Sequence, residues 1–362
     1  MRAVLAGTAS AAPAGSAPDA RRLYNRITRR KAWTVGALGA LLVGSTLIDV
    51  VAGPAGLAVA DVLTAILFPD AVEPTRRVIV WDIRLPTALM AVVVGASLAV
   101  AGVQMQTILN NPLASPFTLG VSAAAGFGAA LAIVLGVSVL PFVGVFLVAG
   151  NAFAFALLAA LVIHVFSRLR GVSAETMVLL GIALVFLFNA LLSLLQYVAS
   201  EQALQQVVFW TLGSLSKASW PKLAITAGVL AAVTPLFVVH AWRLTALRLG
   251  DEKARSLGVD VARLRLLVLA AVSLLAAASV AFVGTIGFVG LVGPHVARML
   301  VGEDQRYLLP TSALAGALLL SVTSIASKAI LPGVILPVGI ITALVGVPFF
   351  LSLILTKRRQ LW

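Results

Sequence analysis

Long runs of apolar residues, each of about 20 positions, recur along the chain and constrain its fold more than any other feature. A helix of roughly 20 such residues crosses a bilayer core, and in lipid it satisfies its own backbone groups. The composition agrees, because 61% of the residues are hydrophobic and 11% are charged, unlike a soluble domain. We therefore predict an all-α polytopic membrane protein. The nine runs of this length are 33–52, 85–105, 117–139, 141–166, 177–199, 222–242, 266–287, 308–331 and 334–355.

A tenth membrane helix is predicted from the segment that follows the seventh run. Residues 266–297 contain no Lys, Arg, Asp or Glu, which makes the stretch too long for one helix and too short for two full ones. The glycines from Gly284 to Gly293 break a helix, and Pro294 is suited to starting a new one. We expect a full helix, a glycine-rich re-entrant segment and then a short helix, which gives ten membrane helices.

The distribution of basic residues predicts the orientation. An even number of spans puts both termini on the same side of the membrane. If that side is the cytoplasm, 20 of the 26 Lys and Arg residues lie there, as the positive-inside rule requires. We therefore predict that both termini are cytoplasmic. The six basic residues left on the outer side are Arg76, Arg77, Arg84, Lys217, Lys222 and Lys328.

Three segments are predicted along the chain. Residues 1–31 are mostly Ala, Ser, Pro, Gly and Arg, and we interpret them as a disordered cytoplasmic arm, because they bury too little apolar surface to fold. Their composition also resembles a transit peptide, but no cleavage-site pattern follows. Residues 32–357 form the ten-helix domain, in which 243–265 is a cytoplasmic segment. Residues 358–362 are a cytoplasmic tail.

Several kinds of chemistry are disfavoured by what the sequence lacks. With no cysteine, the chain has no disulfide, thiolate metal site or cysteine nucleophile. No G-x-x-x-x-G-K-[ST] motif occurs, so any ATP is bound by a separate subunit. His295 has no second metal ligand near it in sequence, and no catalytic arrangement of side chains stands out. We predict no metal site, no catalytic residue and no bound cofactor in this chain.

The apolar runs also contain almost no acidic residue besides Asp49. Ion-driven carriers use such groups as relays inside the membrane, so proton or sodium coupling is disfavoured. Gln104, Gln106, Asn151 and Asn189 are interpreted as hydrogen-bond partners between helices. Most of the basic residues that give the net charge of +13 lie in the short segments between apolar runs, so no nucleic-acid partner is predicted.

Three groups of motifs lie in the loops and at the helix ends. One of these groups, residues 249–265, has two acids suited to a first helical turn and a glycine, Gly258, suited to the end of the helix. This pattern predicts a short helix that is either a solvated connector or a contact for another protein. The other groups are Arg84-Leu-Pro86 with residues 95–104 and the two-proline turn 110–120, and the glycine-rich residues 284–298 with 304–310 and 336–350.

In this order and spacing, the motifs resemble the permease subunits of the ABC importers for ferric siderophores, haem and cobalamin. The resemblance covers about residues 80–356. It implies a multi-pass permease in the bacterial inner membrane that forms a homodimer or heterodimer around a central pathway. Two ATPase subunits, which bind ATP and Mg, are implied on the cytoplasmic side, and a periplasmic binding protein is implied on the outer side.

The resemblance also implies roles for residues at both faces. Arg84 and Lys328 match basic residues that dock the binding protein; the alternative role is that of interface anchors. Two neighbouring positions, Thr87 and Ile335, depart from the family pattern, in which the first is often basic and the second often Glu. The implied contacts with the ATPase are Asp251, Glu252, Arg255, Ser256, Leu257 and Gly258.

Two constrictions on the cytoplasmic side are implied in the same way. Ala174 and Glu175 match a gate position, at which the Glu is a departure from the small hydroxyl residues of a relative. Asn111, Pro112 and Leu113 match a second constriction. The sequence therefore predicts a permease that moves a ferric siderophore or similar large metal chelate. Haem and cobalamin are the alternatives within the family, and an ion-coupled carrier or a non-transporting scaffold are the alternatives outside it.

Overall fold

The computed structural model describes residues 17–54, 56–139, 146–170 and 173–356, which are mainly helical and contain no strand. The predicted tail 358–362 and residues 1–16 of the predicted arm lie outside the described residues. The helices are α1 (Ala17–Val51), α2 (Val59–Leu67), α3 (Pro74–Val78), α4 (Leu85–Ile108), α5 (Val121–Leu135), α6 (Leu147–Arg170), α7 (Ala174–Val198), α8 (Glu201–Thr211), α9 (Trp220–Val239), α10 (Ala241–Leu247), α11 (Asp251–Ser256), α12 (Val261–Val283), α13 (Val289–Val301), α14 (Gln305–Ala329) and α15 (Val338–Thr356).

The chain is a polytopic membrane protein by the length and composition of its helices. Among the described residues, seven helices are long and apolar enough to cross a membrane, and one of them is the continuous helix formed by α3, a π-helical stretch and α4. Three shorter apolar helices are α5, α13 and most of α15. Each of the nine predicted runs coincides with one of these helices. Helices α2 and α8 were not predicted, because both are shorter than a span.

Helix α4 lies at the centre of the bundle, where α12, α13 and α14 pack around it. Small residues allow this close approach. Gly95 of α4 lies against the backbone of Gly316 in α14, and Gly102 lies against the backbone of Gly290 in α13, with no room for a methyl group at either glycine. Such contacts fix the crossing points of α4, so that its two ends are held in defined positions.

The glycine-rich segment after α12 is extended rather than helical. Residues 284–288 separate α12 from the short helix α13, and the φ angle of Gly284 is 73°. The backbone N–H of Ser214 donates to the carbonyl of Val283 at 2.7 Å, which fixes the start of this break. Pro294 was predicted to begin the short helix, and this was wrong: the helix begins at Val289, directly after the left-handed residue Phe288.

The N-terminal residues differ from the prediction. Helix α1 begins at Ala17, so residues 17–31 are helical and not disordered. Ala and Arg are good helix formers, and an extension of an existing helix avoids the cost of nucleation. Composition alone misses this effect, because it treats the arm as independent of the membrane helix that follows.

The functional residues predicted from sequence lie at two opposite ends of the bundle. Arg84 and Lys328 lie at the end where α4 begins, which we call the Arg84 end. The stretch 243–265 lies at the opposite end, next to the end of α4, and we call this the Arg265 end. Helix α4, with 24 residues and a rise of about 1.5 Å per residue, connects the two.

Candidate functional site

The short helix α11 projects one face from the Arg265 end. Gly250 and Gly258, with φ angles of 98° and 82°, let the backbone turn on both sides of it. Ala254 is fully buried and fixes the inner face of the helix. Leu257 is 49% exposed although it is apolar. The predicted contact residues that are exposed are Glu252, Arg255, Ser256, Leu257 and Gly258.

Asp251 differs from the other predicted contact residues because an arginine of the same chain binds it. Both carboxylate oxygens of Asp251 accept hydrogen bonds from the guanidinium of Arg265, at 2.7 and 2.8 Å. The Nε of Arg265 donates to the carbonyl of Ile108 at 2.8 Å, and its side chain is 5% exposed. A bidentate pair fixes geometry as well as charge. Arg265 therefore joins the start of α11 to the end of α4.

A second arginine connects the same regions by another route. Arg248 donates from Nη1 to the side-chain oxygen of Asn110 at 3.0 Å and from Nη2 to Glu303 at 3.0 Å. The Nε of Arg298 lies 2.9 Å from the same carboxylate oxygen of Glu303. One carboxylate therefore faces two guanidinium groups. This cluster joins the segment before α11 to the turn after α4 and to the end of α13.

Asp304 is the next acidic residue and caps α14. Its carboxylate accepts from the backbone N–H of Arg306 at 3.1 Å and from the guanidinium of Arg306 at 2.7 Å. These hydrogen bonds lower the pKa of Asp304. The carboxylate therefore stays charged at neutral pH and fixes the start of α14 beside Glu303.

The turn after α4 contains one of the two predicted constrictions. Asn110 has a φ angle of 46°, and Asn111 accepts a hydrogen bond from the backbone N–H of Leu113 at 2.9 Å. Leu113 is 49% exposed, so the turn presents an apolar side chain at the Arg265 end. Arg248 reaches this turn through Asn110, one residue before the predicted constriction.

The other predicted constriction lies at the first turn of α7. Ser173 caps the helix by accepting from the backbone N–H of Thr176 at 3.1 Å. Ala174 is half-buried and Glu175 is exposed. Helix α7 packs against residues 116–119, a few residues after the turn that contains Asn111. The two constrictions thus flank one loop, and no hydrogen bond between their described residues joins them directly.

At the Arg84 end, the two predicted docking residues are buried. Arg84 is 5% exposed and donates to the carbonyls of Val50 and Val51 at 3.2 and 2.7 Å. Lys328 donates to the carboxylate of Asp49 at 2.8 Å, and Asp49 is fully buried. The two charged groups therefore do not lie on the exposed surface. The C-terminal end of α1 needs these donors, because its last carbonyls have no partner within the helix.

Both residues nevertheless line one recess. A cavity of about 210 Å³ has Arg84 and Lys328 in its wall, and the two departures from the family pattern, Thr87 and Ile335, line it as well. The Nη2 atom of Arg84 has no hydrogen-bond partner among the described residues. With Asp49 offsetting one of the two cations, the recess has a net positive charge.

The comparisons with known proteins identify the family. The model of the FecCD transport family matches residues 41–356. The chain belongs to this family. The matched range therefore includes all of the predicted contact residues at both ends of the bundle. The hemin transport system permease protein HmuU of Yersinia pestis is 38% identical over 284 residues, which cover 78% of this chain and 84% of HmuU.

Two further matches extend the comparison. The molybdate import system permease protein MolB of Haemophilus influenzae is 36% identical over 290 residues, covering 80% of this chain and 84% of MolB. A solved structure, described as an inward-facing conformation of a metal-chelate type ABC transporter, has a TM-score of 0.78 and 33% identity, and covers 89% of this chain and 98% of that one. This FecCD chain is accordingly a permease of the ABC importer class, in which separate subunits hydrolyse ATP.

Sequence analysis missed the residues that connect the predicted sites of this FecCD chain. Arg248, Arg265 and Glu303 were not singled out for function, because their partners are distant in sequence: Asn110 is 138 residues from Arg248. The interhelical role predicted for Gln104 is confirmed, since it donates to Gln305 at 3.0 Å. Asn151 instead donates to the carbonyl of Val137 at 2.7 Å, which lies in the loop after α5. The side-chain amide of Gln106 has no hydrogen-bond partner among the described residues, so the role between helices predicted for these two residues is not borne out.

Proposed function

We propose that this chain is the permease subunit of an importer that moves a ferric siderophore, or a similar large metal chelate, from a periplasmic binding protein to the cytoplasm. The observation that carries the proposal is the FecCD match over residues 41–356, together with a solved neighbour described as a metal-chelate transporter. The binding protein makes most of the contacts with the substrate, so the pathway through the permease needs only weak contacts. Membrane helices poor in charge suit this role.

The proposed assembly has two permease subunits, two ATPase subunits and one binding protein in the bacterial inner membrane. We propose that α5, α13 and α15 also cross the membrane, giving ten spans with both termini cytoplasmic and the Arg265 end inside. The second permease would cover the apolar side chains exposed on α7, α8 and α15, such as Phe186, Phe209 and Leu344. Exposed apolar side chains on membrane helices face lipid or another subunit, and on these three helices we assign them to the second subunit. ATP and Mg would be bound by the ATPase subunits.

Helix α11 is the proposed contact with the ATPase. Its exposed face offers charged, polar and apolar groups within one turn, while Ala254 and Asp251 fix its inner side. Closure of the ATPases on ATP would move α11, and Arg265 and Arg248 would transmit the movement to the end of α4. The constrictions at Asn111–Leu113 and at Ala174 and Glu175 would then open or close. Each link joins packed elements that can move as units.

The recess at the Arg84 end is the proposed docking site for the binding protein. An acidic side chain of that protein would enter the recess and pair with the cations that line it, Arg84 and Lys328, instead of forming a surface pair. The positive charge of the recess supports this role, since charge complementarity increases association rates. Docking by insertion also gives Arg84 two functions, because it anchors the end of α1 as well.

Hemin is the second candidate substrate, because HmuU of Yersinia pestis, a hemin permease by name, is 38% identical. The experiment that separates the substrates is uptake by the complete transporter in proteoliposomes, with a panel of labelled ferric siderophores, hemin, cobalamin and molybdate. ATP-dependent accumulation of a ferric siderophore above the other ligands is the expected result. Uptake of hemin or molybdate alone would overturn the siderophore assignment while leaving the importer intact. Uptake without any ATPase subunit would overturn the importer.

A further inference from the structure

A groove on the outside of the bundle contains none of the functional residues described above. It consists of two adjoining cavities between α6, α9 and α12, of about 620 and 490 Å³. His164 and Ala270 line both cavities, so the two lie side by side. Neither cavity includes a residue of the recess, of α11 or of the two constrictions.

Most of the groove is apolar. Helix α12 forms its floor, where Ala270 and Ala271 leave space, and side chains such as Leu157 of α6 and Leu236 of α9 form its walls. Between Phe153 and Arg168 the groove follows 15 residues of α6, or about 22 Å. Half of a bilayer core is about 15 Å thick. One hydrocarbon chain of a lipid therefore fits along it.

Two arginines lie at one end of this groove. Arg168, in the last turn of α6, and Arg263, in the first turn of α12, both line the smaller cavity and are exposed. Among the described residues, no side chain forms a hydrogen bond or ion pair with either guanidinium. The adjacent acid, Asp260, accepts the backbone N–H of Arg263 at 3.0 Å and caps α12. In the proposed topology, α6 ends and α12 begins at the cytoplasmic membrane boundary, at the level of the lipid phosphates.

We propose that the groove binds one anionic phospholipid, with its phosphate on Arg168 and Arg263 and an acyl chain along the floor of α12. Arginine binds phosphate in a bidentate manner, and basic pockets between membrane helices are typical sites for anionic head groups. The two arginines support a lipid rather than an apolar protein segment, because their charge is complementary to a phosphate. The proposed contact between permease subunits involves α7, α8 and α15, so this groove stays open to the bilayer.

The site is tested with a fluorescent probe in the full-length permease. Because the chain has no cysteine, Ala270→Cys provides a single attachment site for a bimane group at an exposed floor position. The labelled protein is placed in nanodiscs of phosphatidylcholine that contain equal fractions of dibrominated phosphatidylglycerol or dibrominated phosphatidylcholine. We expect bromine quenching to show a preference for phosphatidylglycerol of roughly 30-fold, which is the order expected for two basic contacts.

Three variants decide the origin of that preference. Arg168→Ala with Arg263→Ala should abolish it, whereas Arg168→Lys with Arg263→Lys should retain most of it because the charges stay. The matched control is Arg29→Ala with Arg30→Ala, two exposed basic residues of α1, which should leave the preference unchanged. Equal quenching by both lipids, or a preference that survives the double alanine change, would overturn the proposal. Disulfide formation between two copies of the unlabelled Ala270→Cys variant would also overturn it, because a second copy would then occupy the groove.

Discussion

The two ends of the bundle use charged residues in opposite ways. At the Arg265 end, most of the predicted contact residues are exposed and the arginines that support them are not among the predicted contacts. At the Arg84 end, the predicted contact residues are themselves the buried supports: Arg84 and Lys328 bind the end of α1. A basic residue at a helix end can thus either contact another protein or stabilise the fold of its own chain. Burial, which sequence does not give, separates the two cases.

The largest effect is expected from removing a support at the Arg84 end. Lys328→Ala leaves the fully buried Asp49 without its cation, which should destabilise the fold by about 3–5 kcal/mol. Thermal unfolding of the purified permease in detergent measures this loss. The control combines Asp49→Asn with Lys328→Met, which removes both charges and should recover most of the stability. A Lys328→Ala variant as stable as wild type would show that the end of α1 does not depend on this pair.

The second-largest effect is expected at the Arg265 end, where Arg265 is proposed to transmit movement from α11 to α4. Arg265→Ala breaks the bonds to Asp251 and Ile108, so ATP hydrolysis should continue while transport per ATP falls roughly tenfold, within the range of coupling free energies of 0.5–2 kcal/mol. Uptake and ATPase rate are measured together in proteoliposomes. Arg29→Ala, which changes an exposed arginine of α1, is the control. An unchanged ratio of uptake to hydrolysis would exclude transmission through Arg265.

A surface change on α11 should affect assembly and leave the fold intact. Leu257→Glu or Arg255→Glu changes an exposed side chain, so thermal stability of the isolated permease should match wild type. Co-purification with the ATPase subunit should decrease several-fold, since an apolar or complementary contact is replaced by a charge. Lys217→Glu, an exposed change at the opposite end, should have no effect on co-purification. Normal assembly and uptake in both α11 variants would mean that α11 is a solvated connector.

The smallest effect is expected from adding a charge at the mouth of the recess. Ser216→Glu introduces a carboxylate at an exposed residue that lines the recess, and it should slow association of the binding protein by a few-fold, as for pairs worth about 0.2–1 kcal/mol. The defect should shrink at high salt. Val334→Glu, which adds the same charge at an exposed residue outside the recess wall, is the matched control. Equal effects of the two changes would show that the recess has no special role.

The membrane helices could be predicted from the sequence because the length and apolar composition of each run are enough to indicate a helix that crosses the lipid. The motifs around 249–258 likewise predicted a short helix, and α11 confirms it. The buried role of Lys328 could not be predicted, because its partner Asp49 lies 279 residues away. The same holds for the contact of Arg265 with Ile108, 157 residues apart. Local patterns predict elements, whereas side chains that join elements depend on the tertiary fold.

The central claim is that the exposed face of α11 contacts an ATPase subunit, and cross-linking tests it most directly. The absence of native cysteine allows a single cysteine at Leu257, treated with a short photoactivatable thiol reagent in membranes that contain the whole transporter. The account predicts a cross-linked product of permease and ATPase from Leu257→Cys and none from Lys217→Cys at the Arg84 end. No product from Leu257→Cys, or equal yields from the two positions, would contradict it.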